Sequence, residues 1–154
     1  MSVELTFLIA VLAVVFVFEA YIRLAPSNPD IWHVDPLAAS RPQTPNSFLQ
    51  RPEKGKYPSQ QFDLSATDLA HAFDLGVMSE SRTRRLAGAP DDLFVTYIAR
   101  SRLFGFPDYV SIRFVPLGAK RSTYAVFSRA RFGYGDRGVN RRRLLGWLND
   151  IAPQ

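Results

Sequence analysis

The chain has 154 residues, a net charge of +5 and no cysteine. That length holds one domain, and the missing cysteine excludes disulfides, thiolate metal sites, iron–sulfur clusters, thiol nucleophiles and lipid attachment through an N-terminal cysteine. The charge is uneven: fourteen Lys/Arg stand against six Asp/Glu from Ser79 onward, and Leu117–Arg143 holds eight basic residues against Asp136 alone. Such a surface draws phosphate head groups, nucleic acid or acidic protein.

From Leu5 to Ile22 the chain reads LTFLIAVLAVVFVFEAYI, eighteen residues with Glu19 as the one ionisable group. A run of this kind forms a membrane-spanning helix, because only an internally hydrogen-bonded backbone is tolerated in lipid. Eighteen residues span roughly 27 Å at the helical rise, with Tyr21 and Arg23 placed at head-group level. A cleaved signal peptide fits poorly, since Met1–Glu4 lacks a basic residue and small residues do not precede a cleavage point. Glu19 stands four residues before Arg23, the favourable order for an intrahelical pair; it also suits contact with a partner helix. The basic flank, Arg23 and the more distant Arg41, leans toward a cytoplasmic domain.

Seven of the eleven prolines fall between Pro26 and Pro58. Proline removes donors and fixes φ, so residues 25–59 are expected to form an extended linker without regular structure, ordered along a partner's surface. Residues 60–154 then make a small α+β domain: an antiparallel sheet flanked by two helices. A helix is expected over Ser65–Leu75, with Ser65 and Asp68 as a capping box and Gly76 closing it. Strand-like segments follow at Glu80–Leu86, Leu93–Phe104, Tyr109–Val115 and Thr123–Phe132. Val110, Ile112 and Phe114 point one way, and Leu117–Arg121 suits a hairpin turn. A turn centred on Ala119 sets Arg113 opposite Ala125 and Ser111 opposite Phe127, so Arg113, Arg129 and Arg131 share the face opposite the apolar one. The closing helix, Gly138–Ile151, buries Val139, Leu144, Leu148 and Ile151 and carries Trp147 on its flank.

Ser128–Leu144 reads SRARFGYGDRGVNRRRL. Gly133, Gly135 and Gly138 permit turn conformations closed to other residues, and Asp136 is a natural N-cap, with Asn140 an alternative cap or a bond across to the preceding strand. Asp136, Gly138, Asn140 and Arg143 could hold an anion at a helix N-terminus, with Arg129 and Arg131 supplying guanidinium forks; equally, Asp136 and Asn140 could cap the turn while one arginine pairs with Asp136. Arg141, Arg142 and Arg143 lie beyond the first turn if Asp136 is the cap, and oppose the dipole if Asn140 is.

This segment resembles the C-terminal signature of domain-of-unknown-function family 1499, S-R-S-R-x-G-x-S-D-x-G-x-N-x-x-R-I. Ser128, Arg129, Arg131, Gly133, Asp136, Gly138, Asn140 and Arg143 match it; Ala130 and Gly135 replace serines and Leu144 replaces isoleucine. Phe106-Pro107-Asp108 and Trp32-His33 also resemble family features, so the likeness runs from about Trp32 to Ile151. It implies a compact bacterial domain, often behind an anchor or export signal, with no established activity. Its exported relatives pull toward the periplasm, against the charge flank, and leave the side of the bacterial inner membrane open.

Neither His33 nor His71 sits in a metal spacing or beside a nucleophile, and there is no cofactor motif, so a non-catalytic role is expected. One expectation is a single-pass accessory subunit of an inner-membrane complex, respiratory or photosynthetic, meeting integral membrane subunits through Glu19 and Arg23 and through the linker. The other is a tethered module that binds an anionic ligand or phospholipid head group through Arg113, Arg129, Arg131, Arg142 and Arg143. Nucleic acid is disfavoured, because no aromatic stacking residues interleave with the arginines.

Overall fold

The computed structural model describes residues 2–40, 45–52, 58–102, 104–135 and 138–151; Asp136 and Arg41 lie outside them. Helix α1 spans Val3–Leu24 and begins where the Ser2 hydroxyl accepts the Leu5 amide at 3.3 Å. Its 22 residues extend about 33 Å at 1.5 Å per residue, longer than the apolar run alone implied. With a mean hydropathy of 2.5 and almost none of its apolar window buried, it is a helix long and apolar enough to cross a membrane. Its last turn meets the rest of the chain, where Ile22 and the following Ala25 are buried.

The remainder is an α+β fold built on one five-stranded antiparallel sheet in the order β1-β5-β4-β3-β2. The strands are β1 (Ser47–Gln50), β2 (Thr83–Ala89), β3 (Phe94–Arg100), β4 (Pro107–Gly118) and β5 (Arg121–Ala130). The β4–β5 hairpin has the expected register, with Arg113 opposite Ala125 and Ser111 opposite Phe127. Because side chains alternate along a strand, Val110, Ile112, Phe114, Tyr124 and Val126 all face one layer. There they meet helices α3 (Ala66–Ser79) and α4 (Val139–Asn149) in the main core.

Helix α3 starts as expected: the Ser65 hydroxyl accepts the Asp68 amide at 3.1 Å and donates to the Asp68 carboxylate at 2.6 Å. It does not stop at Gly76 but runs on to Ser79, because Val77 is an anchor of the core and holds the last turn against the sheet. Phe73 is the hub, its ring 5.7 Å from Phe114, 6.0 Å from Tyr97 and 6.1 Å from Trp147. The next residue, buried Asp74, accepts Arg85 Nε at 2.7 Å and Tyr97 Oη at 2.9 Å, with Arg85 Nη2 completing a fork. Burial works to raise the Asp74 carboxyl, but the Arg85 and Tyr97 hydrogen bonds and the Arg85 charge outweigh it and hold it below the usual carboxylate value.

Two expectations for α4 change. Trp147 is buried rather than on the flank, and Val139 is 40% exposed. The inward stripe is Asn140, Leu144, Trp147 and Leu148, the i, i+4, i+7, i+8 set of a single helical face; Val139 falls outside it.

The proline-rich stretch is not an unstructured linker where it is described. Pro29–Trp32 form a one-turn helix, α2, opened by Asn28, whose side chain accepts the Asp30 amide. Ser47–Gln50 form β1 on the free edge of β5. An exposed strand edge leaves backbone groups unpaired, and β1 satisfies them on β5.

Replacing Phe73 with alanine is expected to cost about 3–5 kcal/mol, seen as a large drop in the thermal unfolding midpoint of the detergent-solubilised chain by circular dichroism.

Candidate functional site

The arginines singled out in the sequence fall into two structural roles. The first concerns the Ser128–Arg143 segment. Helix α4 is entered through Gly138, at φ +77°, a left-handed conformation that favours glycine. Asp136, the first expected cap, lies outside the described residues, and Asn140, the alternative cap, sits inside the helix, buried. The Ser128 hydroxyl donates to Asn140 Oδ1 at 2.6 Å, and Arg143 Nη1 donates to the same oxygen at 3.3 Å and to Asp108 at 2.9 Å. Asn140 Nδ2 reaches the Asn46 carbonyl at 3.4 Å, and Asn46 Nδ2 donates to the Gly133 carbonyl at 2.6 Å. Ser128, Asn140, Arg143 and Asp108 thus pin α4 across β4 and β5, with Gly133 turning the chain between them at φ +86°. Of the expected bonds, the one from Asn140 to the preceding strand is present.

The second role belongs to the sheet face away from the helices. Arg113, Arg129 and Arg131 share it, as the register required, but it is covered by residues 26–40. Trp32 stacks on Tyr109 at 3.8 Å and 10°, and His33 stacks on Phe94 at 3.9 Å. Arg129 is buried. It donates to the Trp32 carbonyl, to Ser111 Oγ and to the Phe127 carbonyl, and lies 4.4 Å from the Phe127 ring centre. No described carboxylate pairs with it, and burial brings its guanidinium down to about 10. Arg113 pairs with Asp35 at 2.8 Å, and Arg131 donates to the Pro26 carbonyl at 2.7 Å. From the opposite side, Arg51 donates to the carbonyls of Pro36 and Ala39. These arginines bind the chain's own N-terminal strap. The Trp32-His33 pair was the sequence signal for it.

The arginines left open to solvent lie elsewhere. Arg100 of β3 pairs its amide with the Arg82 carbonyl at 2.9 Å, so the antiparallel β2–β3 register brings Arg82 and Arg84 alongside Arg100 and Arg102. The last turn of α1 adds Arg23, packed against Gly105, where a side chain would come within 3.3 Å of the Arg23 guanidinium and φ is +68°. Arg100 holds the corner together, donating to the carbonyls of Gly105 at 2.8 Å and Arg23 at 3.3 Å. Among the described residues, the side chains of Arg23, Arg82, Arg84 and Arg102 make no hydrogen bond or ion pair. Burial first, then the charges of Arg84, Arg23 and Arg131, press the Arg100 guanidinium below its ordinary value.

These side chains line a groove of two lobes that share Arg82, Arg100 and Arg102 in their walls. The lobe beside α1 encloses about 430 Å³ between Arg23, Arg84, Arg100, Arg102 and Gly105. The other, about 380 Å³, lies under α4, where Arg142 and Arg143 join Arg82 and Arg102, and Glu80 and Asp150 add negative charge. Of the expected binding set, only Arg142 and Arg143 reach the groove. The missed signal was the pair of Arg-x-Arg spacings, Arg82-Thr83-Arg84 and Arg100-Ser101-Arg102: each straddles a strand end, and the pairing of β2 with β3 gathers all four at one corner. Glu19 and Arg23 do not pair, since Arg23 turns to the Gly105 corner.

The protein-of-unknown-function family DUF1499 has a family model that matches residues 38–151, and the chain belongs to this family. The match takes in β1 and the end of the strap as well as the sheet and both covering helices. No curated protein and no solved structure matches the chain.

His33 supplies a pH test of the strap. It shares a 2.8 Å hydrogen bond with Thr96 Oγ1. Burial and then the Arg113 charge lower its value from 6.5, against Asp35 and Asp92, which raise it. A histidine held neutral in the folded state takes up protons less readily than in the unfolded chain. Its contribution is therefore complete above pH 6.5 and is lost as pH falls through the lowered folded value. Thermal unfolding midpoints are expected to fall over that window, well above the acid range of Asp74, and His33→Asn is expected to flatten the slope there.

Proposed function

We propose that this chain is a non-catalytic, single-pass module of the bacterial inner membrane that binds a phosphorylated or carboxylated anion in the arginine groove beside α1. The observation that carries the reading is Arg100 with its neighbours: five arginines (Arg23, Arg82, Arg84, Arg100, Arg102) line one lobe, and among the described residues no carboxylate lines it. Such clustering costs free energy in the empty protein through like-charge repulsion and is relieved by a bound anion, which guanidinium forks engage in bidentate fashion. Of the arginines first expected to do this, Arg113, Arg129 and Arg131 are occupied by the strap and Arg143 by Asp108, and Arg142 lines the other lobe, so the binding set moves to the β2–β3 corner.

The test uses the full chain in an uncharged detergent, titrated with inorganic phosphate and with a short-chain phosphatidic acid. Arg84→Gln combined with Arg102→Gln removes two exposed charges with no described partner. It is expected to weaken both ligands about tenfold and to leave the unfolding midpoint unchanged. Equal affinity in the variant would sink the reading.

A second reading, an accessory subunit packed on other membrane proteins, draws on Glu19. Its side chain makes no hydrogen bond or ion pair with a described residue, and an acid on an apolar helix calls for a polar partner. Purification from native membranes in mild detergent should then bring down a stoichiometric complex that Glu19→Leu abolishes.

A further inference from the structure

The groove has a fixed position relative to α1, and that position identifies the source of its ligand. Strand β4 runs twelve residues from Pro107 to Gly118, roughly 40 Å at strand rise. The β4–β5 hairpin tip is at one end. At the other are the β3–β4 corner, the groove and the last turn of α1. An unbroken chain of rings crosses this second end: Tyr21 to Phe132 at 6.3 Å, Phe132 to Phe106 at 5.9 Å, and Phe106 to Phe104 at 5.6 Å. Its outer members stay open, Tyr21 at 60% and Phe104 at 41%, with Leu24 beside them at 80%. A spanning helix of about 33 Å brings Tyr21 and Arg23 to the boundary between acyl chains and head groups, where aromatic rings are favoured. Whatever touches them lies at the same depth. Arg23 and Gly105 form one wall of the groove, so its mouth opens at head-group level.

Resting on the anion-binding reading, we infer that the ligand is the head group of an anionic phospholipid of the same bilayer, presented to the groove by the aromatic end of the domain seated in the interface. The phosphate meets Arg23, Arg84, Arg100 and Arg102 while the acyl chains remain beside α1 and Phe104. A free phosphate shares the chemistry and binds the same forks, but it lacks the apolar half of the contact. The hairpin tip, with Leu117 also exposed, stands away from the membrane and serves as the internal control.

The chain has no cysteine, so single labels can be placed in the full protein in nanodiscs. Nitroxides at Phe104→Cys and Leu117→Cys report depth by collision with oxygen and with a water-soluble nickel complex. Phe104→Trp, read by quenching from doxyl lipids against the background of Trp32 and Trp147, gives the same measurement with an aromatic ring retained. Position 104 is expected to be lipid-accessible and position 117 water-accessible; equal water access at both would overturn the seating. Spin-labelled phosphatidylglycerol is expected to be immobilised about tenfold more than spin-labelled phosphatidylcholine, falling to parity in Arg84→Gln/Arg102→Gln. Parity in the unmodified chain, with inorganic phosphate still bound through those arginines, would overturn the lipid source and leave the anion site standing. Loss of the phosphate binding as well would remove both.

Discussion

A sheet has two faces, and water must be kept from both if its strands carry apolar side chains on each. Here the two faces are covered by different means. Helices α3 and α4 close one with aromatic and aliphatic packing around Phe73, joined by two polar clusters: Asp74 with Arg85 and Tyr97, and Asn140 with Ser128 and Arg143. The other face carries Phe94, Tyr109, Phe127 and three arginines, and what covers it is the strap of residues 26–40. Arg129 is the centre of that cover. A buried guanidinium is costly unless its donors are satisfied, and the Trp32 carbonyl, Ser111 and the Phe127 carbonyl satisfy them while aromatic rings flank its plane.

That contact has consequences at a distance. Fixing the strap from Pro26 to Ala39 sets where α1 leaves the domain, because Arg131 holds Pro26 and Arg100 holds the Arg23 carbonyl. The apolar helix is therefore not joined by a loose tether but leaves from a defined corner, with Ile22 buried and Tyr21 against Phe132. The same corner gathers the arginines that the strap does not use. The proposed anion site and its proposed membrane depth both follow from the strap being docked.

The signature shared with the DUF1499 family has a structural role in this chain. Ser128, Asn140, Arg143 and Asp108 bind one another, and Gly138 and Gly133 supply the two left-handed turns that let β5 pass into α4. Arg129 and Arg131, the other basic members of the motif, hold the strap. A motif dense in charge is thus largely consumed by internal pairing, and the exposed arginines at Arg82, Arg84 and Arg102 lie outside it.

What the amino-acid order decided alone was local. Eighteen apolar residues require a helix wherever they go, Ser65 and Asp68 start α3, and strict alternation with a short turn sets the β4–β5 register to the residue, because a slip of one would turn every side chain to the wrong face. The tertiary structure decided which charges are free. Arg113, Arg129 and Arg131 look available on a strand read by itself, and become occupied only when residues 26–35, far earlier in the chain, fold back over them. The open groove arises in the same nonlocal way, from two Arg-x-Arg spacings brought side by side by β2–β3 pairing and joined by Arg23 of α1. Periodicity tells which way a side chain points; whether a partner meets it depends on contacts that sequence distance does not encode.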